Sequence, residues 1–579
     1  MTSLMGSGRI VGDDLTEALY QAGVRIAFGL DDPRGYWVGL RRSKIRSVVV
    51  HDERSGGFMA EAFTRAGGGL ATCSGISGPG AANLVPGLLE AYLSSVPVLA
   101  VLGEKRPAPF GGREFQGVDH RTLLAGVVKA TVEVHSPDDI RAGATQAVRL
   151  ATSGRPRPVL LLTRDLLQQQ PAQGPTPADV PDPRSAGDYV VAARSGGAHD
   201  DDIARAVDSL RVAREPVIVL GGGAAISGAG AVAAELAERI GAPIIATPMG
   251  KGVVSEDHPL ACGIITAYSC GIDGFGVTAL DILRRTDCVL IVGSDLDNLA
   301  RVDGEWPTAA STVIRIDIDP DELRAFADIP LCGDAASTLR QLCDALPAQV
   351  PGAGGRRARA AAEAAHVQER RAKVIAQDLA IEPDGTVWPA RIVMEIARVL
   401  GPSDVLTTDA SFSSAWSVDR LVAVDGAPTL LTPRAAGTLG WGLPAALGAK
   451  LARPDSRVIG LIGDGALFFS IGDMETAVRE HIPVTIVVLD NASYGSQRHS
   501  NVLAQGRDYG DLHFNERTDL VGLAASFGWA AKRVASGAAL AEALAERVDG
   551  PQMLVVPVDR EHRPPIFKFA ASGQSRPSE

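Results

Sequence analysis

The chain has 579 residues, too many for a single hydrophobic core, so three or four domains are expected. Its 46% hydrophobic and 21% charged content is that of an ordinary globular protein. A formal net charge of −12 argues against nucleic acid or an acidic membrane surface as a general partner, because both select basic surfaces.

Short β-branched runs at 47–50, 98–102, 159–162, 216–220, 289–292, 313–318, 458–462, 484–489 and 553–556 alternate with amphipathic segments. Continuous apolar strands between helices predict parallel sheets covered on both faces. Two stretches interrupt the alternation. Residues 168–199 are rich in Pro, Ala, Gly and Asp; residues 347–365 open on Pro and Gly and continue as Arg, Ala and Glu. Both read as linkers, the second passing into an exposed helix. The expected architecture is α/β with three doubly wound parallel-sheet domains, at 1–185, 186–365 and 366–579. The first and third share a plan of strand, Gly-rich turn and helix that fits a duplicated fold.

In the first part, the loop 28–35 places Arg34 beside Asp31 and Asp32. Arg34 reads either as a clamp for a substrate carboxylate or as an internal pair with one of these aspartates, and the internal pair is the plainer expectation. Next comes VVVHDERSGGFMAEAFTR, whose cluster His51-Asp52-Glu53-Arg54 by itself reads as a solvated turn. The run GISGPGAANLVPGLLEAYLSSVPVLAVLGE holds a turn at Ser77-Gly78-Pro79-Gly80, followed by Asn83. Phe115-Gln116 and His120 follow. The middle part carries Gly221-Gly222-Gly223 after a strand. It lacks the last Gly of the dinucleotide fingerprint, so a structural turn and a nucleotide site both stand.

The third part contains DASFSSAW, with hydroxyls at Ser411, Ser413 and Ser414, and RAAGTLGWGLPAALGAKLA, which includes Gly437 and Leu439. It also contains Gly463-Asp464-Gly465, followed after 25 residues by Asn491-Ala492-Ser493-Tyr494-Gly495. Asp464 and Asn491 are hard oxygen donors of the kind Mg²⁺ takes when phosphates complete its shell. Glycines on both sides of Asp464 admit a close approach of the backbone. Asn491 ends an apolar strand, at the edge where parallel sheets bind ligands.

These motifs resemble those of the thiamine diphosphate (ThDP) superfamily of 2-oxo acid decarboxylases and acetohydroxyacid (acetolactate) synthases. The family pattern ends in Asn-Asn; here it reads Asp490-Asn491, which keeps the second Asn. The resemblance implies pyrimidine-binding, central and diphosphate-binding domains. It implies Mg²⁺ on Asp464, Asn491 and the Ser493 carbonyl, with Gly463, Gly465, Ala466, Tyr494 and Gly495 around the cofactor. Ser411 and Ser413 would reach the diphosphate. Gly437 would accept from the aminopyrimidine, and Leu439 would bend the cofactor. Ser77, Pro79 and Asn83 would lie beside the pyrimidine ring. Glu53 would be the buried acid on the aminopyrimidine that activates the cofactor. Gln116, His120 and Gln497 are the candidates for handling substrate.

The family assembles sites between two subunits, so a homodimer or homotetramer is expected. Neither major subfamily fits fully. The chain has no His-His pair, Gln497 stands where pyruvate decarboxylases carry a catalytic Glu, and the Gln-Trp of true acetohydroxyacid synthases is missing. The reading is a 2-oxo acid lyase leaning to carboligation; a simple decarboxylase releasing an aldehyde and a catalytically quiet ThDP binder are the alternatives. FAD in the central domain is considered and not favoured. The six cysteines form no C-x-x-C pair and read as buried free thiols, and the absence of an apolar leader or an 18-residue apolar run suggests a cytoplasmic protein.

Overall fold

The β-branched and leucine runs of the sequence become strands, most of them buried on both faces. The computed structural model describes residues 8–105, 114–164, 167–172, 196–424, 429–433 and 435–566. The tail beyond Ile566 and most of the linker expected at 168–199 lie outside these residues.

The first sheet contains β1 (Val24–Gly29), β2 (Arg46–Val49), β3 (Leu70–Ser74), β4 (Val98–Glu104), β5 (Ala130–Val134) and β6 (Val159–Arg164), in the order β2-β1-β3-β4-β6-β5. The second contains β7 (Pro216–Leu220), β8 (Ile244–Ala246), β9 (Ala261–Ile264), β10 (Cys288–Val292), β11 (Thr312–Asp317) and β12 (Ile329–Cys332), ordered β12-β11-β10-β7-β8-β9. The third contains β13 (Val405–Thr408), β14 (Thr429–Leu431), β15 (Val458–Gly463), β16 (Thr485–Asp490), β17 (Ala530–Arg533) and β18 (Gln552–Pro557), ordered β14-β13-β15-β16-β18-β17. The ladders are parallel throughout. The third sheet repeats the strand order of the first, as a duplicated fold requires. The second, read from its β9 edge, has the 3-2-1-4-5-6 order of dinucleotide-binding folds.

The first layer supplies α1 (Glu53–Arg65), α2 (Pro79–Asn83) and α3 (Val85–Leu93). The chain reaches the third sheet through α4 (Ala353–Ala380), the helix expected to follow the linker at 347–365, but one face of it is buried where an exposed helix was expected. Ala353, Arg356, Ala360, Ala364, Val367, Arg371, Val374 and Asp378 are buried at spacings of three and four. That stripe packs as any amphipathic helix does, but its alanines and arginines hide it from a hydropathy reading. Arg371 pairs with Glu256, and Asp378 accepts from Arg420, so α4 welds the second and third sheets.

The third layer supplies α5 (Phe412–Arg420), α6 (Gly442–Ala452) and α7 (Gly495–Gln505). One apolar cluster joins Phe28, Phe58 and Leu88 of the first layer to Leu443, Leu447 and Ile462 of the third. At its centre α1 crosses α6 so closely that a Cβ on Gly448 would sit 2.4 Å from the Met59 carbonyl oxygen. Gly448→Ala is therefore expected to force the helices apart and cost roughly 1–3 kcal/mol. A lowered thermal midpoint with unchanged far-UV circular dichroism would register it.

Two smaller expectations change. Of the two aspartates expected to take Arg34, Asp31 pairs instead with Arg41 at 2.6 Å. Five of the six cysteines are buried free thiols, but Cys332, at the end of edge strand β12, is exposed. Among the described residues no helix is long and apolar enough to cross a membrane.

Candidate functional site

In the third sheet the chain departs in opposite directions from the neighbouring strands β13 and β15. This is the switch point at which open parallel sheets bind ligands. A cavity opens there, lined by Ser411, Leu439, Gly463, Asp464, Asn491 and Ser493, among others. Ala466, Tyr494, Gly495 and Gln497 also line it, so most of the residues expected around a diphosphate and its cation come together in one place.

Asp464 follows β15 and is 3% exposed; burial pushes its carboxyl up to about 7. Backbone N–H groups of Gly465, Ala492 and Asn491 point at it, but they do not offset the loss of water. An anion so placed is stabilised by a cation, and Mg²⁺ takes hard oxygen ligands of the carboxylate, amide and carbonyl kind. Asn491 Oδ1 accepts from the Ser493 N–H at 3.0 Å, which folds the turn back towards Asp464. A Cβ on Gly463 would meet no atom within 4 Å, leaving open space along its backbone. Gly465 is different: a Cβ there would lie 2.8 Å from the Tyr494 ring, which itself stacks edge-on against Phe514.

Ser411 caps α5 at φ +76°, a left-handed backbone uncommon for a residue with a side chain. Ser411 lines the cavity. Ser413 also lines the cavity, and its hydroxyl donates to the carbonyls of Asp409 and Ala410. Gly437 is exposed at φ +70°, with no atom near its missing Cβ. Leu439, two residues on, reaches the cavity.

Glu53 does not line this cavity. It opens α1, is 4% exposed, and accepts from Asn83 Nδ2 at 3.0 Å. The packing around it is tight: a Cβ on Gly80 would fall 2.4 Å from Glu53 Oε1, and one on Gly75 2.7 Å from its Cγ. The glycines of the Ser77–Gly80 turn thus make room for a buried carboxyl, and the solvated-turn reading of His51–Arg54 fails at Glu53. His120 is fully buried. Its Nε2 accepts from the Gly78 N–H at 3.2 Å and lies 3.5 Å from the Ser77 hydroxyl. Burial holds the imidazole below its ordinary pKa, so His120 braces the turn as a neutral ring. Ser77 also donates to the Gln116 carbonyl, and Gln116 has φ +62°. Pro79 begins α2 within the same turn.

Known proteins match the chain along most of its length. Descriptions of thiamine pyrophosphate enzymes match in three blocks: the N-terminal TPP binding domain at residues 9–123, the central domain at 203–342 and the C-terminal TPP binding domain at 411–558. A probable acetolactate synthase large subunit of Methanocaldococcus jannaschii is 30% identical, over 94% of this chain and 91% of that protein. The acetolactate synthase large subunit of Parasynechococcus marenigrum is 28% identical, over 92% and 83%.

The chain belongs to the ThDP-dependent, acetolactate synthase-like superfamily.

It is accordingly a ThDP-dependent enzyme, and each sheet carries one of the three matched blocks. Sequence reasoning missed several of the groups that shape its cofactor domain. Asp409 directly follows β13, is 1% exposed, and accepts from Gly440 and Gly442, while burial pushes its carboxyl up to about 7. Its only signal was a carboxylate just before Ser411. His562 and Asp559 also line the cavity, with His562 edge-on to Trp388 at 4.5 Å.

The middle sheet has a second cavity of about 330 Å³ at its own switch point, bordered by Gly222, Gly223 and Gly293. A Cβ on Gly221 would lie 2.3 Å from the Gly293 carbonyl oxygen, so strand-to-turn packing alone requires glycine there. The cavity also presents Asp295, Asp297, Asp317 and Asp334. Its Arg155 is paired to Glu322 at 2.6 Å.

Proposed function

We propose that this enzyme uses Mg²⁺ and ThDP to remove CO₂ from a 2-oxo acid or related acyl donor and pass the acyl unit to a carbonyl acceptor. The observation that carries the cofactor placement is the convergence of Asp464, Asn491, Ser493, Ser411 and Leu439 on one switch-point cavity. Asp464, Asn491 Oδ1 and the Ser493 carbonyl would hold the cation, and Ser411 and the Gly463 backbone the diphosphate. Bound there, ThDP supplies the electron sink for decarboxylation. Gly437 and Leu439 orient the aminopyrimidine, and Glu53 keeps a proton at its ring nitrogen. Because Glu53 lies outside the Asp464 cavity, the complete site is read as formed between two copies, in a dimer or tetramer.

Carboligation is favoured because Gln497, on the cavity wall, cannot transfer a proton. The relatives named acetolactate synthases support the same reading. A simple decarboxylase is the second reading, favoured by His562 and Asp559 on the same wall. Mass spectrometry of products from a panel of 2-oxo acids, with and without carbonyl acceptors, decides between them. Coupled hydroxyketones are the expected products; aldehyde alone would establish the second reading. The aspartate-lined middle cavity is read as a structural cleft, and the purified protein is expected to show no flavin absorbance near 450 nm.

A further inference from the structure

The segment 435–442 carries Gly437 and Leu439; no atom lies within 4 Å of where a Gly437 Cβ would stand, and the Gly437 N–H donates to the Pro433 carbonyl at 3.0 Å. Its position is fixed by the residues on either side. Downstream, Gly440 and Gly442 donate to Asp409 at 3.1 and 2.6 Å, and Trp441 Nε1 donates to the fully buried Glu61 at 3.2 Å. From the first domain, Arg65 donates to the Thr432 carbonyl at 2.9 Å, and the residues flanking Gly437 are held by Glu90 on α3, which is 0% exposed. Glu90 Oε1 accepts from the Ala435 N–H at 3.2 Å and the Ser94 hydroxyl at 3.2 Å. Its Oε2 accepts from the Ala436 N–H at 3.2 Å and the Thr438 hydroxyl at 3.0 Å.

An ionised carboxylate has about four acceptor sites, and here four donors reach the two oxygens. Three of the four belong to the loop, at the two residues before Gly437 and the one after it. We propose that Glu90 is a positioning residue for catalysis, a carboxylate clamp from the first domain that sets where the Gly437 carbonyl stands in the cofactor site of the third.

The role rests on the proposed ThDP placement but not on any one substrate. A residue that merely filled space would tolerate Gln, which has nearly the same volume. A clamp would not, because the amide turns an acceptor into a donor and leaves N–H and O–H groups of the loop unmatched.

The test is Glu90→Gln in the full-length holoenzyme, with two readouts at saturating ThDP and Mg²⁺. The first is amide hydrogen exchange of peptides covering 433–440, expected to accelerate at least about tenfold while peptides of β13 and β15 stay unchanged. The second is deuterium exchange at C2 of bound ThDP, expected to slow about tenfold or more, since misplacement of an orienting group by 1 Å costs up to about 10²-fold.

Unchanged loop exchange in the variant would overturn the clamp. Faster loop exchange with unaltered C2 exchange at saturation would reduce Glu90 to a structural role and overturn its place in catalysis. If the wild-type protein does not accelerate C2 exchange over free ThDP, the functional assignment falls instead, and loop exchange still decides whether Glu90 holds the loop. Should Glu90→Gln fail to fold, Thr438→Val removes one of the three loop bonds. It should move both readouts in the same direction by a smaller factor, and no movement in either would refute the proposal.

Discussion

Glu53→Gln is expected to lower kcat by about 10²–10⁴-fold, the span that positioned proton transfer contributes, while ThDP affinity changes no more than a few-fold. The reason lies in what surrounds the carboxyl. Glu53 sits at the first turn of α1, 4% exposed, with Asn83 donating to Oε2 and the missing Cβ of Gly80 leaving space at Oε1. Gln preserves the shape and the partner distance but cannot exchange a proton with the aminopyrimidine. Isothermal titration with ThDP and Mg²⁺, run beside steady-state kinetics, separates binding from turnover. Gly80→Ala tests the same point sterically: its Cβ would meet Oε1 at 2.4 Å, so the carboxyl must move and activity should fall in the same direction. Near-normal turnover in Glu53→Gln would remove Glu53 from the mechanism.

Glu53 also shows how far a sequence can be read. The strands at 216–220 and 458–462 were legible because a continuous β-branched run has few other uses, and the repeated order of the first and third sheets follows from a repeated strand-turn-helix plan. The Asp464–Asn491 pairing was legible because both ends sit on strand termini with glycine beside them. What stayed hidden was everything fixed by partners distant in sequence. Glu90 lies 345 residues from Ala435, and nothing in an amphipathic helix marks one glutamate as buried. Asp409 needs Gly440 and Gly442 to become a loop anchor. Asp31 takes Arg41, one helix on, where the sequence offered Arg34 nearby. The α4 stripe was masked because alanine and arginine carry it. His120 was legible only as a neighbour of a substrate motif; that its Nε2 accepts from the Gly78 N–H was not.

Asp464→Asn is expected to weaken ThDP binding in the presence of Mg²⁺ by about 10²-fold or more, since even outer-sphere substitutions at metal sites cost 10–100-fold. The substitution keeps an oxygen in place and removes only the charge, so the loss isolates electrostatics from shape. A second consequence concerns pH. Burial pushes the Asp464 carboxyl up to about 7 in the unliganded protein, against an ordinary value near 3.8. The raised value means that the folded, cation-free site holds a proton below about pH 7 and is ionised above it. A cation requires the ionised form, so binding below that pH must expel the proton, and apparent affinity should fall up to about tenfold per pH unit. The linked effect on the empty protein has the opposite sense. A carboxyl with a raised folded-state pKa favours folding below its unfolded value, and that contribution is lost as pH rises through about 7, where bound cation takes over as the stabilising partner. Titrating ThDP at fixed Mg²⁺ from pH 5.5 to 8.5 should therefore give a sloping affinity in the wild type and a flatter one in Asp464→Asn. Parallel slopes in the two proteins would place the titrating group elsewhere and leave Asp464 without the role of cation ligand.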